Sequence, residues 1–398
     1  MTAGPLGGTR MRVLLLGGSG RFGSLTARRV VAFDLVSEVG IAGRNQDALT
    51  RVASEVGDKA RAVQVDILDE RRLASVAADY DVVVNTAGPE WEVLLPALRG
   101  AIAAGTHYCD IGADGRTVEK QLELDSMAKE RDIVAVVGMG YDPGLDNLLA
   151  VHASRQFERT EDVQARFYVA GYLSQAVDEL RKTGRVDTSL QQIVNAMSGS
   201  VRIYRDGGWM DIDPLENRVD ITLPEGGTVT AYPVGHSEAI TLPRHLPGVR
   251  SVSCVLAVST PQLGELLLRE ARRTSRGELT TRDATRSFLE TIGTEPDRWL
   301  KTSAGPLAAP GWRMWVVASG WKDGRRARYT CWPIRLGGTA LPLTVATLRI
   351  LRGEVSARGV LPPEACFEPM PFFEEAARYR RDEDRDKPLL GEFLEWVS

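Results

Sequence analysis

Short apolar runs alternate with longer amphipathic segments along roughly the first 150 residues of the chain. The apolar runs predict strands over residues 13–16, 36–42, 62–65, 81–84, 107–111 and 133–137. Apolar residues recur at helical spacing over residues 24–33, 46–56, 70–78, 94–104, 118–130 and 145–154. Strands that alternate with helices in this way form parallel sheets with crossover connections. The pattern therefore predicts an α/β domain with a doubly wound parallel sheet, the Rossmann architecture.

The second half of the chain has a different pattern, with strands that follow one another directly. Strand-like runs cover residues 163–169, 200–204, 219–223, 228–233, 252–258, 312–320 and 325–332. Hairpin signals of the D-G type join several of them, and helical segments at 190–198, 261–272 and 282–291 would cover one face. We expect an α+β domain with a mostly antiparallel sheet. The predicted domains are residues 1–145, residues 146–338, and C-terminal helices from 339 to 398 that pack back on the first domain.

Composition narrows the class of protein. The net charge of −4, without a basic stripe, argues against a nucleic-acid partner. No apolar run reaches membrane-spanning length and the N-terminus lacks the apolar core of a signal peptide, so we expect a cytoplasmic protein. The four cysteines form no C-x-x-C pair, and no His and carboxylate set has metal-ligand spacing. The sequence thus predicts neither a metal site nor a disulfide framework.

The first predicted strand breaks into glycines and then into a helix. Gly18, Gly20 and Gly23 give the spacing G-x-G-x-x-G, and Gly17 with Gly20 and Gly23 gives G-x-x-G-x-x-G, so the register stays open. Such a turn lets a pyrophosphate approach the backbone at a helix N-terminus. The candidate phosphate-binding segment also includes Ser19, Arg21 and Phe22. A strand-to-helix turn without any ligand is the structural alternative.

The ends of the next strands supply further candidate cofactor contacts. The second strand ends at Arg44 and Asn45, where an arginine can pair with the 2'-phosphate of NADP, although NAD stays possible. A solvated arginine at a helix start is the alternative reading. The third and fourth strands end in Asp66 and Ile67 and in Asn85, Thr86, Ala87 and Gly88. Ligands bind at these carboxyl ends in open α/β sheets.

These segments carry a family resemblance. GGSGRFGSLTARRV, VGIAGRN, VVVNTAGP, AGTHYCDIG and GMGYDPGLDNLLA, in this order, resemble the saccharopine dehydrogenase-type NAD(P)-binding domain. Within this group the chain is similar to lysine 6-dehydrogenase-like and carboxynorspermidine dehydrogenase-like members. The resemblance implies hydride transfer between a nicotinamide and a C–N bond of a small amino-acid-derived substrate, and it suggests a homodimer. It is clear over about the first 150 residues and looser beyond them.

Few residues qualify for the proton transfer that imine chemistry needs. His236 with neighbouring Glu238 offers a base beside a carboxylate, while an ordinary loop histidine is the alternative. Asp110 and Tyr141 follow the fifth and sixth strands and are the other catalytic candidates. A substrate carboxylate would need an arginine, and the sequence offers Arg202, Arg205 and Arg244 without favouring one.

Two other functions are compatible with the same nucleotide site. One is reduction of a C=C or C=O bond, as in the enoyl reductase branch of the family. The other is a regulator that binds NADP and turns nothing over, for which an apolar second-domain pocket without proton-transfer groups would be the signature.

Overall fold

The first domain is built on a seven-stranded parallel sheet in the computed structural model, which describes residues 10–170, 172–299 and 311–397. Its strands are β1 (Met11–Leu16), β2 (Val36–Gly43), β3 (Ala60–Gln64), β4 (Val82–Asn85), β5 (His107–Asp110), β6 (Val134–Val136) and β15 (Gly359–Leu361). They lie in the order β15-β6-β5-β4-β1-β2-β3. The six expected strands thus form a Rossmann sheet, and the C-terminal part of the chain adds a seventh strand beside β6.

Both faces of this sheet are buried. Val13 and Leu15 of β1 belong to one apolar cluster, and Leu14 and Leu16 belong to another on the opposite face. A strand covered on both sides needs a continuous apolar run, which explains the sequence pattern. The helices are α1 (Arg21–Val30), α2 (Gln46–Val56), α3 (Glu70–Ala77), α4 (Glu90–Ala104), α5 (Gly115–Leu122), α6 (Asp125–Glu130) and α7 (Leu145–Ser154).

Three helices of this domain differ from the sequence prediction. Helix α1 begins at Arg21, directly after Gly20, and α4 begins directly after Pro89. The single helix expected over residues 118–130 is two helices, α5 and α6. The side chain of Asp114 accepts a hydrogen bond from the backbone N–H of Thr117 and so caps α5 three residues earlier than expected.

The second domain contains a mostly antiparallel sheet, as the sequence predicts, but it has nine strands in place of the seven expected. Its strands are β7 (Arg159–Ala170), β8 (Val201–Arg205), β9 (Gly208–Ile212), β10 (Val219–Thr222), β11 (Thr228–Pro233), β12 (Ser251–Ala257), β13 (Gly311–Lys322), β14 (Arg325–Pro333) and β16 (Leu390–Trp396). The main path runs β10-β11-β12-β7-β13-β14-β16, and β8 with β9 branches from β12. Among the described strands of this second sheet, only β7 and β12 pair in parallel.

Helices cover this sheet and connect it to the first domain. They are α8 (Tyr172–Thr183), α9 (Thr188–Ala196), α10 (Glu238–His245), α11 (Pro261–Ser275), α12 (Thr281–Thr294), α13 (Pro296–Trp299), α14 (Ala340–Leu351), α15 (Pro363–Cys366) and α16 (Pro369–Arg378). Helix α14 packs on α1 of the nucleotide-binding domain, whereas β16 pairs with β14 of the second sheet. The C-terminal segment therefore contributes to both domains.

None of the helices in the described ranges is long and apolar enough to cross a membrane.

Candidate active site

The glycine turn after β1 has the close packing that a phosphate-binding loop needs. Gly17 has a φ of +70°, and a Cβ placed there would lie 2.7 Å from the backbone nitrogen of Ala87. A Cβ at Gly18 would lie 2.9 Å from the Ile41 side chain, and one at Gly23 would overlap the carbonyl oxygen of Gly17. A Cβ is excluded at Gly17, at Gly18 and at Gly23. Each of the two glycine spacings therefore contains positions where only glycine fits.

Helix α1 starts at the open side of this turn. Its N-cap is Gly20, whose own N–H donates to the Gly17 carbonyl at 2.9 Å, and no side chain caps the helix. The first N–H groups of α1 therefore point outward without a side-chain acceptor, next to exposed Arg21 and half-buried Ser19 and Phe22. Backbone geometry and the helix dipole fit a pyrophosphate here.

The end of β2 presents a cation at the place where a nucleotide ribose would lie. Arg44 is exposed, and its guanidinium makes no ion pair with any residue of the described ranges. Its carbonyl oxygen accepts a hydrogen bond from Gln64, which fixes the backbone. Asn45 caps α2 by accepting from the N–H of Ala48, so its side chain orders the helix start. This placement fits a guanidinium that is available to an added 2'-phosphate.

Some of the candidate cofactor-binding residues after β3 and β4 are exposed and others are buried. Asp66 is exposed and accepts from the Leu68 N–H, while Ile67 is buried. Asn85 is fully buried, where its Oδ1 accepts from the Ala87 N–H and its Nδ2 donates to Tyr108. The Thr86 hydroxyl donates to the Leu16 carbonyl and ties the turn to β1, and Gly88 is exposed. Asn85 thus shapes the turn, and the small residues after it border the crevice.

Asp110 and Tyr141 occupy different environments at the ends of β5 and β6. Asp110 is buried and accepts four hydrogen bonds, from the Tyr108 hydroxyl, the Gln121 amide and the N–H groups of Gly112 and Gly138. Burial raises the pKa of this carboxyl, and the four donors act in the opposite direction. Asp110 therefore ties together the loops after both strands. Tyr141 is half-buried in the turn after β6, and burial raises the pKa of its hydroxyl.

The structure brings His236 and Glu238 to the same sheet edge from the second domain. The backbone of His236 forms an isolated antiparallel β-bridge with Asp114, which follows β5. The N–H of the neighbouring Ser237 donates a hydrogen bond to the Ala113 carbonyl. His236 is 3% exposed, with its Nε2 3.2 Å from Gln192 Oε1 and its Nδ1 3.9 Å from Glu238 Oε1. Burial lowers the pKa of the imidazole, which is therefore neutral near pH 7.

His236 Nδ1 is a proton acceptor or donor without a partner. Nδ1 has no hydrogen-bond partner in the described structure. If Nε2–H donates to Gln192, the Nδ1 lone pair faces the Glu238 carboxyl. The Phe167 ring lies 5.2 Å from the imidazole, centroid to centroid, and fixes its position.

Three further carboxyls surround this pair, one of them fully buried and two half-buried, and none of the three is predicted from the sequence. Asp146 begins α7, Glu364 lies on α15, and Glu90 begins α4. Burial raises the pKa of Glu90 and of Glu364 to about 7. Burial and the contact with Glu238 raise the pKa of Asp146 above its usual range. A carboxyl inside the apolar run L-D-N-L-L is the signal that would have found Asp146.

Asp146 and Glu238 are in direct contact, and their protonation is linked. Both are fully buried, and burial raises the pKa of Glu238 as well. Two carboxylates in an apolar interior repel each other, so the favourable state is one in which the pair shares a proton. The Glu238 carboxyl of this pair lies 3.9 Å from His236 Nδ1. The arrangement can therefore store a proton and exchange it with the imidazole.

The second domain covers the glycine turn through α8 and α9. Arg21 donates to the Tyr172 hydroxyl at 3.3 Å, and Tyr172 donates to Asp187 at 2.8 Å. A Cβ at Gly88 would lie 2.9 Å from the Thr188 methyl group. The strand ends of the first domain therefore form one wall of an interdomain crevice, and α8 and α9 form the other.

The arginines proposed from the sequence for a substrate carboxylate do not converge on this crevice. Arg202 forms ion pairs with Glu119 and Asp211, and Arg244 lies over the Trp209 ring. Arg205 is exposed at the β8 end of a hairpin.

Comparison with known proteins supports the assignment of the first domain. Residues 13–136 match the model of the saccharopine dehydrogenase NADP binding domain. The match runs from β1 to β6 and so covers the strands that carry the glycine turn, Arg44 and Asp110. The resemblance inferred from the sequence is confirmed.

Two curated relatives match different lengths of the chain. A carboxyaminopropylagmatine dehydrogenase of Synechocystis sp. is 22% identical over 271 residues, which make up 66% of this chain and 66% of that protein. A trans-acting enoyl reductase of Mycobacterium tuberculosis is 25% identical over 134 residues, 33% of this chain and 32% of that protein. The chain thus spans just under two thirds of the first relative and about a third of the second.

A solved structure shows the same fold over both domains. Apo saccharopine dehydrogenase (L-Glu forming) from Saccharomyces cerevisiae matches with a TM-score of 0.62 and 18% identity. The match covers 97% of this chain and 100% of that chain.

Proposed function

The chain carries a saccharopine dehydrogenase-type NAD(P)-binding domain, and from that premise we propose that it is an NADP-dependent oxidoreductase acting on a C–N bond. The reaction would be imine reduction or amine oxidation on a small amino-acid-derived substrate. The observation that carries this proposal is the position of His236 and Glu238. The segment that carries these second-domain residues is held against the loop that follows β5, at the edge of the sheet where dinucleotides bind.

The residues of the crevice fit a dinucleotide. The turn leaves no space for a Cβ at Gly17, Gly18 or Gly23 but exposes helix N–H groups. Arg44 supplies a cation at the proposed ribose end. When bound, the nicotinamide supplies or accepts the hydride. Arg21, Tyr172 and Asp187 form a chain of hydrogen bonds across the outer side of the crevice and connect the two domains there.

Imine formation, reduction and hydrolysis each require a proton at nitrogen or oxygen, and the chain must hold that proton near neutral pH. We assign His236 as the proton-transfer group, with Glu238 and Asp146 as positioning residues that hold one proton beside it. Asp110 fixes the backbone loops around the site through its four hydrogen bonds. Tyr141 lies in the turn after β6 and belongs to the same proposal as a further proton donor.

The Synechocystis relative supports the C–N assignment. Its 271 matched residues exceed the length of the nucleotide-binding match, so the similarity reaches into the second domain. The 134 residues matched by the enoyl reductase are close to the length of the nucleotide-binding match at residues 13–136. A cytoplasmic location and a homodimer stay predictions that accompany this proposal.

Deuterium transfer tests the reaction class. We expect NADPH deuterated at C4 to place its label on a carbon that bears nitrogen when the protein is given mixtures of amino acids with 2-oxo acids or aldehydes. Mass spectrometry and NMR of the product locate the label. A label on a former C=C carbon or on a carbinol carbon would favour the other reductase reaction. Tight NADPH binding without any transfer across such mixtures would favour a nucleotide sensor.

Arg44→Ala tests the choice between the two nucleotides. We expect the substitution to weaken NADPH binding by about tenfold to a hundredfold and to leave NADH binding unchanged, because only NADPH loses a charge-assisted contact. Fluorescence titration of both nucleotides measures the effect. Arg51→Ala removes another exposed arginine of the same domain and is the matched control. An unchanged ratio of the two affinities would refute the assignment of Arg44.

A further inference from the structure

The Glu90 side chain connects the ends of two neighbouring strands in the first domain. Glu90 begins α4, directly after the loop that follows β4. Its carboxyl oxygen Oε2 accepts a hydrogen bond from the N–H of Ala113 at 2.7 Å and another from the N–H of Asp114 at 2.9 Å. Both donors belong to the loop that follows β5, and β5 pairs with β4. One half-buried carboxyl therefore fixes the backbone of the next loop.

The loop that Glu90 fixes is also the loop that holds the His236 segment. The carbonyl of Ala113 accepts a hydrogen bond from the N–H of Ser237 at 3.1 Å, and Asp114 forms the β-bridge with His236. Ala113 thus donates to Glu90 and accepts from the second domain. A path of two hydrogen bonds leads from the Glu90 carboxyl, through Ala113, to the backbone next to His236.

The loop and the second-domain segment are in close contact. The N–H of Gly115 donates to the Gly235 carbonyl at 3.0 Å. A Cβ placed at Gly115 would lie 3.0 Å from the His236 carbonyl oxygen, which is closer than ordinary van der Waals contact. The Asn195 amide of α9 donates to Asp114 Oδ1 at 3.2 Å. Tightly packed segments transmit small displacements to each other, so a shift of this loop would displace His236.

The segment that carries Glu90 also touches the glycine turn. A Cβ placed at Gly17 would lie 2.7 Å from the backbone nitrogen of Ala87, so the two backbones are in close contact. Glu90 follows Ala87 by three residues. A short stretch of chain therefore runs from the proposed phosphate-binding turn to the loop that holds His236.

The Glu90 side chain offers an acceptor oxygen in either protonation state. Burial raises the pKa of its carboxyl to about 7, and the two N–H donors act in the opposite direction. Near pH 7 the group is therefore partly protonated and partly ionised. A protonated carboxyl keeps a carbonyl oxygen that accepts hydrogen bonds. The contact with the loop thus depends on the reach of the side chain and does not need a full charge.

We propose that Glu90 is a positioning residue for His236. By holding the loop at Ala113 and Asp114, it keeps the imidazole at the sheet edge where a nicotinamide would lie. The inference rests on the proposed function, in which His236 transfers the proton. Glu90 acts on the backbone and takes no part in proton transfer itself. The position of the imidazole is thus set from the first domain, although His236 belongs to the second.

Substitutions that separate the reach of the acceptor from its charge test this inference. Glu90→Leu removes the acceptor, and Glu90→Asp keeps the charge but shortens the side chain by one methylene group. We expect both to lower kcat by about tenfold to a hundredfold and to leave the KM for NADPH within about twofold, because a misplaced proton-transfer group slows the chemical step and leaves the glycine turn intact. Glu90→Gln keeps an acceptor at the same reach and should recover most of the kcat that Glu90→Leu loses. Glu92→Leu, at an exposed position of the same helix, is the matched control.

NMR of the full chain with isotope-labelled histidine tests the same inference without turnover. The chain contains four histidines, and the imidazole signal that is missing in His236→Gln identifies His236. We expect this signal to shift or broaden in Glu90→Leu and in Glu90→Asp. In Glu90→Gln and Glu92→Leu it should keep its wild-type position. A thermal melt of each variant shows that it is folded, and Glu90→Asp decides the question if Glu90→Leu does not fold.

An unchanged His236 signal in folded Glu90→Asp would overturn the inference. A signal in Glu90→Gln that is displaced as far as in Glu90→Leu would overturn it as well, since the acceptor is then not what holds the loop. The NMR experiment is independent of catalysis, so a failure of the proposed C–N reaction would appear only in the deuterium experiment.

Discussion

Gly23→Ala is expected to weaken dinucleotide binding by more than about a hundredfold. A Cβ at this position would overlap the Gly17 carbonyl oxygen and lie 2.7 Å from Gly18 Cα. These are backbone atoms of the turn itself, so no side-chain rotation relieves the overlap, and α1 must move away from the glycine turn. The N–H groups that start α1 would then no longer point to the pyrophosphate. Fluorescence titration with NADPH measures the loss.

The control for this substitution is Gly43→Ala at the end of β2. A Cβ there meets the Leu49 side chain at 3.4 Å, which is ordinary van der Waals contact. We expect little change in affinity, and a thermal melt of each variant separates loss of binding from loss of folding. Gly23→Ala protein that stays folded and binds NADPH like the wild type would show that the turn does not hold the phosphates.

His236→Gln is expected to lower kcat by about a hundredfold to ten thousandfold, the usual contribution of a general acid or base. The glutamine side chain can place a polar group at about the same distance from the backbone as histidine and can retain a hydrogen bond to Gln192. It has no group that titrates near neutral pH. The KM for NADPH should stay within about twofold, because the imidazole makes no part of the glycine turn. Steady-state kinetics with the substrate found in the deuterium experiment measure both values.

His245→Ala is the control for the loss of an imidazole, since His245 is exposed near the end of α10. We expect no change in kcat for this variant. Because His236 is buried, a thermal melt of His236→Gln must show a folded protein. Folded His236→Gln with wild-type turnover would remove His236 from the proton-transfer role.

Glu238→Gln separates positioning from direct proton transfer at the same site. It keeps the shape of the side chain but cannot share a proton with Asp146. We expect kcat to fall less than in His236→Gln. Burial raises the pKa of Glu238 above the usual range of a carboxyl group. The pH profile of the variant should therefore lose the ionisation that belongs to the carboxyl pair. An unchanged pH profile would mean that the pair acts only in packing.

The nucleotide-binding part of this protein could be derived from local sequence because its elements have a strong local signal. Buried parallel strands require continuous apolar runs, and the turn after β1 requires glycines at positions where a Cβ has no space. The starts of α1 and α4 were predicted too late, since Gly20 and Pro89 cap these helices without a side-chain signal. Helix α10 contains Pro243, and a proline inside a helix is not typical of a helical sequence pattern, so the sequence does not predict α10.

Strands that depend on distant partners were harder to predict. Strand β15 is only three residues long, and it forms by parallel pairing with the edge of β6 in the first sheet. Strand β16 follows a charged segment and pairs with β14 of the second sheet. Neither pairing leaves a local signature, because its hydrogen-bond partners lie far away along the chain.

The sequence by itself determined the class of the first domain, the position of the glycine turn, the cation at Arg44 and the pairing of His236 with Glu238 along the chain. The tertiary structure alone placed Asp146 against Glu238 and brought Asn147 within 2.9 Å of Glu364, 217 residues away. It also brought the Glu90 carboxyl to the loop after β5. The periodicity of apolar residues indicates which side of a helix or strand is buried. Which side chains meet in one site depends on how helices and strands from distant parts of the chain pack against each other, and only the tertiary structure shows this.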